Sequence, residues 1–188
     1  MFSFTIGQTT VDFSLLIIIF GIALLTGIII SIRIRILARQ LRGYFQKKQY
    51  EKAIAATNKL LKYCQRSRRF TISNKIKNKA KKAMENYHIY LAVSYLHLSD
   101  DYHFMHYVCL LDNSVPVKHI LLALYFLEKE KYDPAQFHCD FLAENPNFQN
   151  VTKYLDGVRL YKQGEEEEAK KILADVYPKL SDDLKMIV

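Results

Sequence analysis

From Phe13 to Ile32 the chain reads FSLLIIIFGIALLTGIIISI, twenty residues without a charge. At a rise of 1.5 Å per residue, twenty helical residues cover about 30 Å, the thickness of a bilayer's hydrocarbon core. The pattern predicts a transmembrane helix over 13–32, with residues 1–12 as a short extracytoplasmic N-terminus. A cleaved secretory signal fits poorly, because no Lys or Arg precedes the run and no Ala-x-Ala site follows it. The next stretch, SIRIRILARQLR (31–42), alternates isoleucine and arginine like a half-buried strand. Placed about 100° apart on a helix, the same residues sort into a basic face with Arg35, Arg39 and Arg42 and an apolar face with Ile34, Leu37 and Leu41. Arg33 stands alone at the hydrocarbon edge, where a long side chain can snorkel. The membrane helix is therefore expected to continue into the first helix of the domain.

Beyond Ile34 the apolar positions keep a helical period, and no convincing strand pair emerges. The pattern predicts helices over 34–46, 49–64, 75–98, 101–112, 116–129, 133–144, 148–163 and 165–177, and a short one after Pro178. LSDD (98–101), DNSVP (112–116), KYDP (131–134), ENPN (144–147) and KQG (162–164) punctuate them, and Asp133 before Pro134 reads as an N-cap. Residues 66–82, RSRRFTISNKIKNKAKK, are either a loop or the start of a long helix. Ile72, Ile76 and Ala80 recur every four residues there, and Ser73 or Asn74 offers an N-cap.

The helices repeat. Ala123 and Gly157 are 34 residues apart, as are Ala135 and Ala169, and in each unit a small residue precedes an alanine by 12. Tyr44, Tyr50 and Ala53 share the spacing of Phe126, Tyr132 and Ala135, and Ala92 and Tyr95 begin a further unit in which Phe104 replaces the alanine. Small residues at such positions let paired helix backbones approach closely. This spacing resembles the tetratricopeptide repeat, a 34-residue helix-turn-helix, although no unit carries that pattern's tryptophan and 66–82 interrupts the period. The fold class expected is all-α: one transmembrane helix followed by a tetratricopeptide-like solenoid of helical hairpins. Its regions are a basic juxtamembrane part with a degenerate first repeat (33–82) and a repeat domain (83–188). A nonrepeating helical bundle is the alternative.

The resemblance implies packing roles for Ala53, Ala123, Ala135, Gly157 and Ala169. It also implies a partner groove on the first helices, lined by Val117, Ile120, Leu124 and Leu127 in one unit and Tyr154, Val158 and Tyr161 in the next. The Lys/Asn clamp that some relatives use for a terminal carboxylate is absent from these positions, so the ligand surface is expected to be apolar or aromatic. Ordinary core is the competing reading of both stripes.

Charge is divided unevenly. Residues 33–82 hold seventeen Lys and Arg against one acid, Glu51, whereas 83–188 hold ten basic and seventeen acidic residues. By the positive-inside rule the basic flank, Arg33, Arg35, Arg39 and Arg42, puts the C-terminal domain in the cytoplasm and points to contact with anionic lipid headgroups. Three scattered cysteines, Cys64, Cys109 and Cys139, form no disulfide framework and suit a reducing compartment. No zinc finger, helix-turn-helix or RNP-like string accompanies the basic third, which argues against nucleic acid.

Catalytic motifs are missing: there is no GxSxG, no HExxH and no glycine-rich phosphate loop. His103, His106 and Cys109 lie three apart near His97 and Asp100, but positions i and i+6 point about 120° apart on a helix and do not converge on a metal ion. Glu165–Glu168 suit a helix start, with Glu166 and Glu167 four residues before Lys170 and Lys171. The reading is a non-enzymatic, cofactor-free adaptor, held in a membrane by one span and binding a protein partner. An accessory subunit of a membrane complex, recognised through its span, is the alternative, followed by a basic nucleic-acid-binding membrane protein.

Overall fold

The computed structural model describes the backbone of residues 3–6, 9–71 and 73–187, with side chains from Ile17 onward except Phe70. Ile72, assigned above to the apolar stripe of 66–82, lies outside the described residues. The chain divides into two compact units, 1–40 and 41–188.

The first unit opens with an antiparallel hairpin, β1 (Ser3–Ile6) and β2 (Thr9–Asp12), in which Ser3 pairs with Asp12 and Ile6 with Thr9. Helix α1 follows at once, Phe13–Gln46. It is long and apolar enough to cross a membrane, and every residue from Ile17 to Arg33 is exposed. The Thr26 hydroxyl donates to the Ala23 carbonyl at 2.8 Å, so this polar group is satisfied within the helix. The apparent strand at 31–42 is helix, as its wheel predicts.

The second unit is helical throughout its regular structure: α2 (Tyr50–Phe70), α3 (Asn74–His97), α4 (Asp101–Cys109), α5 (Pro116–Glu128), α6 (Tyr132–Ala143), α7 (Gln149–Lys162), α8 (Glu166–Val176) and the short α9 (Asp182–Lys185). Two sequence expectations change. Helix α2 runs on to Phe70 with Thr71 as its cap residue, and α3 begins at Asn74 with Ser73 as its cap residue, so 66–70 and 74–82 are both helical. Helix α6 starts at Tyr132 with Lys131 as its cap residue, which places Asp133 inside the first turn rather than at the N-cap.

Four helix-to-helix turns share one build. Lys48, Ser99, Glu130 and Gly164 each adopt a left-handed conformation, with φ of 54°, 56°, 57° and 87°. The N–H of each donates three residues back, to Phe45, Leu96, Leu127 and Tyr161. The N–H of the following residue, Gln49, Asp100, Lys131 or Glu165, donates five residues back, to Tyr44, Tyr95, Phe126 or Leu160, at 2.8–3.0 Å. This double bond set is the Schellman motif, which satisfies helix-end carbonyls that would otherwise lack partners.

Counting from the left-handed residue puts the small residues in register. Seven positions earlier stand Ala92, Ala123 and Gly157, all buried, with Leu41 in the first pair. Five positions later stand Ala53, Ala135 and Ala169, at most 1% exposed, with Phe104 in the second pair. The crossing is tightest at Gly157, where an added Cβ would lie 2.9 Å from Cγ and Cδ2 of Leu173 and 3.2 Å from Cγ2 of Ile172. Phe104 is wholly buried and stacks on Tyr125 with ring centroids 4.8 Å apart, so the larger residue is absorbed by the neighbouring pair.

Consecutive pairs pack on one another. Helix α3 lies against α5 and α5 against α7, while α4 touches α5 and α6 touches α7. Polar bridges tie the seams: Lys129 to Asp101 at 2.7 Å, Lys162 to Glu128 at 2.9 Å, and the Arg159 guanidinium donating to the Gln136 carbonyl at 2.9 Å.

Between α5 and α6 two histidine rings meet, with Nδ1 of His119 3.0 Å from Nδ1 of His138. His119 Nε2 lies 2.9 Å from the Asn113 carbonyl, which can only accept, so this nitrogen carries a proton. A neutral His119 then accepts through Nδ1 from the Nδ1–H of His138. The buried His119 ring stacks on Phe141 at 3.7 Å, and His138 on Phe126 at 5.8 Å.

Two outcomes follow for stability. Gly164→Ala should destabilise by about 1 kcal/mol and Glu130→Gly should stabilise by about 0.5 kcal/mol, because a side chain at φ near +60° carries a steric cost that glycine escapes; Gly157→Ala should lose about 1–3 kcal/mol by overpacking. Denaturant melts of the three variants check the signs. Burial holds His138, His97 and His88 below the ordinary histidine pKa, with neighbouring His119, Lys48 and His106 respectively adding to it. Their unfolded forms therefore bind protons first, so stability is fully present above about pH 6.5 and falls as pH drops through that value. Thermal melts from pH 7.5 to 5.5 should show a falling Tm, and His138→Phe should flatten the slope.

Candidate functional site

The first-helix face of the 41–188 unit is where a repeat array would hold a ligand, and here it is partly occupied by the chain itself. After α8 a 3-10 turn, Tyr177–Lys179, redirects the backbone. Ser181 then caps α9, its hydroxyl accepting from the Leu184 N–H at 3.3 Å. Leu180 and Ile187 are buried at 4% and 7% exposure, each contributing about 1.5–3 kcal/mol of apolar burial. Met186 and Ile187 share a cavity of about 350 Å³ with Phe45, Ile89, Tyr90, Val93 and Val117. The segment thus comes back beside the end of α1, more than 130 residues earlier in the chain, and beside α3 and α5, a return that the short helix expected after Pro178 does not anticipate.

A second, larger cavity of about 760 Å³ adjoins the same segment. Arg42, Lys48, Tyr50 and His97 line it from the first two pairs, and Ser181, Asp182, Asp183 and Lys185 from the returning segment. Within it His97 stacks on Tyr50, centroids 4.5 Å apart and planes 14° from parallel. Burial raises the Tyr50 and Tyr90 phenols above their ordinary pKa; for Tyr90 the Asp183 carboxylate adds to the rise and Arg42 opposes it. Arg42 and Lys48 make no ion pair among the described residues, although two carboxylates share their cavity. The chemistry on offer is recognition by shape, apolar contact and positive charge.

The expected groove residues separate into two groups. Val117, Leu124, Tyr154 and Val158 are half-buried and Tyr161 is 53% exposed, so these are available to a ligand. Ile120 and Leu127 are 0% and 1% exposed; they belong to the core, because in a packed array the same helix also presses on the next pair. Tyr154 approaches Tyr177 of the returning segment at 6.3 Å. Phe45, Ile89, Tyr90, Val93 and His97 were not predicted. The apolar spacing of Ile89, Tyr90 and Val93 along α3 was visible, and Phe45 stands at the end of α1, but the weak repeat match there gave no frame in which to assign a face.

Arg33, Arg35, Arg39 and Arg42 are all exposed on α1. A second basic surface lies at the end of the α2–α3 pair, where Lys62, Arg66, Arg68, Arg69 and Lys77 surround an open cavity of about 720 Å³. Between Glu51 and Glu85 the chain has eleven Lys and Arg and no acid, so nothing local neutralises this surface.

The His103 group resolves into a helix cap. Asp100 accepts the His103 backbone N–H at 3.1 Å through Oδ1 and contacts the His103 ring at 2.8 Å through Oδ2, and these bonds hold its carboxyl below the usual range. His103 also stacks on Tyr95 at 4.8 Å. Among the described residues no group of three His, Cys, Asp or Glu converges as a metal site. Cys139 is buried, which pushes its thiol up to about 11, Cys64 is half-buried, and Cys109 is exposed. Glu166 and Glu167 both reach Lys170 at 3.2 Å, as surface pairs on the first turn of α8.

Comparison of the chain with protein-family models, with curated proteins and with solved structures found no match.

Proposed function

We propose that this chain is a membrane-anchored, non-enzymatic adaptor whose helical pairs, arranged like tetratricopeptide repeats, bind a protein partner at the membrane surface. The observation that carries the reading is the exposed apolar stretch of α1. A continuous apolar surface from Ile17 to Ile32 is far larger than a soluble surface tolerates, while the 41–188 unit encloses its own core. Four turns of one build, with small residues in register around them, support the repeat reading. Arg33, Arg35, Arg39 and Arg42, immediately after the span, favour a cytoplasmic domain and contact with anionic headgroups. Tethering raises the partner's effective concentration, so modest affinity in the groove suffices.

Topology is tested with the chain's own thiols. A membrane-impermeant maleimide should label exposed Cys109 only after the membrane is opened; labelling of intact cells would reverse the orientation. Partner binding is tested by cross-linking the full chain in native membranes. Leu124→Ala with Tyr161→Ala should lower capture of a discrete partner about tenfold, the equivalent of about 1.4 kcal/mol across the two side chains. Unchanged capture would remove the groove from the reading. Replacing 13–32 with an unrelated apolar helix should leave an adaptor's capture intact, whereas loss of capture would favour a subunit recognised through its span.

A further inference from the structure

The segment Leu180–Ile187 adjoins the expected groove at Val117 and extends along α3 beside Ile89, Tyr90 and Val93, and it is attached in an unusual way. Its polar groups are satisfied locally: Lys185 N–H donates to the Ser181 carbonyl at 2.9 Å, Leu184 N–H to the Ser181 hydroxyl, and the Lys185 ammonium to the Pro178 carbonyl at 3.2 Å. Among the described residues no hydrogen bond or ion pair joins Leu180–Ile187 to the first-helix face. Leu180 and Ile187 are its two buried apolar anchors, and Ile187 with Met186 adjoins Phe45, Ile89, Val93 and Val117. Lifting the segment therefore exposes apolar surface but leaves no buried polar group without a partner.

The cavity beside it is open, and the charges that the resident segment brings to it are complementary in sign but unpaired. Arg42 and Lys48 line about 760 Å³ together with Asp182 and Asp183, yet no carboxylate comes within ion-pair distance of either cation. A ligand whose carboxylates reach slightly farther would make charge-assisted bonds that the resident segment does not make. That margin is what an outside ligand needs against an intramolecular competitor with a millimolar effective concentration.

We propose that Leu180–Ile187 is a resident pseudo-ligand of the first-helix face, and that the outside ligand is a protein segment of the same chemistry. That ligand is a short helix opening with paired carboxylates and closing on two large apolar residues. It displaces the resident segment, seats its apolar pair against Ile89, Val93 and Val117, and turns its acids to Arg42 and Lys48. This deepens the adaptor reading and rests on it.

The test uses the full chain in detergent micelles and a fluorescein-labelled peptide copying residues 178–188, PKLSDDLKMIV. The Leu180→Ser/Ile187→Ser variant should bind the peptide at least tenfold more tightly than the unsubstituted chain. Arg42→Glu in that variant should lose the gain, as should a peptide with lysines in place of both aspartates. Equal binding to substituted and unsubstituted chains, or no binding by a folded variant, overturns the proposal. If the double variant does not fold, Ile187→Ala takes its place with a gain of threefold or more expected, and no gain again overturns it. Membrane cross-linking to a partner without peptide binding would leave the adaptor reading standing and remove this one; peptide binding with no captured partner would do the reverse.

Discussion

Four residues with φ between 54° and 87° set the geometry on which the 41–188 unit depends. Each reverses the chain at a helix end while returning the freed carbonyls to hydrogen bonds, so two helices leave the turn at a fixed angle. The crossing point is then fixed too, seven residues before the turn on one helix and five after it on the other. Ala53, Ala123, Ala135, Gly157 and Ala169 occupy such points and are all buried, and at Gly157 even a Cβ would press on Leu173. Only Gly164 meets the turn's conformational demand without strain. Lys48, Ser99 and Glu130 carry a cost that the packed pair offsets, a sign that tertiary packing rather than turn propensity fixes these positions.

Much of this was legible from periodicity. The boundaries of α3, α5, α7 and α8 fall within about one residue of those predicted, because Pro116, the ENPN stretch and Gly164 are local signals whose consequences are local. The end of α2 was not legible, since Arg66–Arg69 carries no apolar residue and is exposed on the helix, so no periodic signal marks it. The expected groove residues divide by burial for a similar reason. A stripe at helical spacing does not distinguish a surface from a core when one helix packs on two neighbours, and Ile120 and Leu127 went to the core while Leu124 stayed accessible. The His119–His138 contact joins residues 19 apart in sequence, and no motif marks it.

Charge and apolarity divide the molecule by task. The apolar stretch of α1 is long and apolar enough to cross a membrane, and both it and the arginines that follow it are exposed. The α2–α3 pair carries eleven cations between Glu51 and Glu85 without a local counterion, whereas acids gather in the later pairs, where Glu128, Asp101 and Glu166 are each engaged by a lysine. A surface of that kind is screened by salt over about 8 Å at physiological ionic strength, so its reach is short and its effect local.

An array in which each helical pair touches only its neighbours behaves as a one-dimensional chain: it frays from either end, one pair at a time, and its contacts are nearly all short-range in sequence. The returning segment changes that. By placing Met186 and Ile187 beside Phe45 and Val93, it joins the last part of the array to the first and closes a loop of about 140 residues. Closure of this kind raises the contact order and ties the fraying of one end to the integrity of the other. A segment that closes such a loop couples the helices at its two ends, so the 41–188 unit opens less readily from either end than a row of separable helical pairs would.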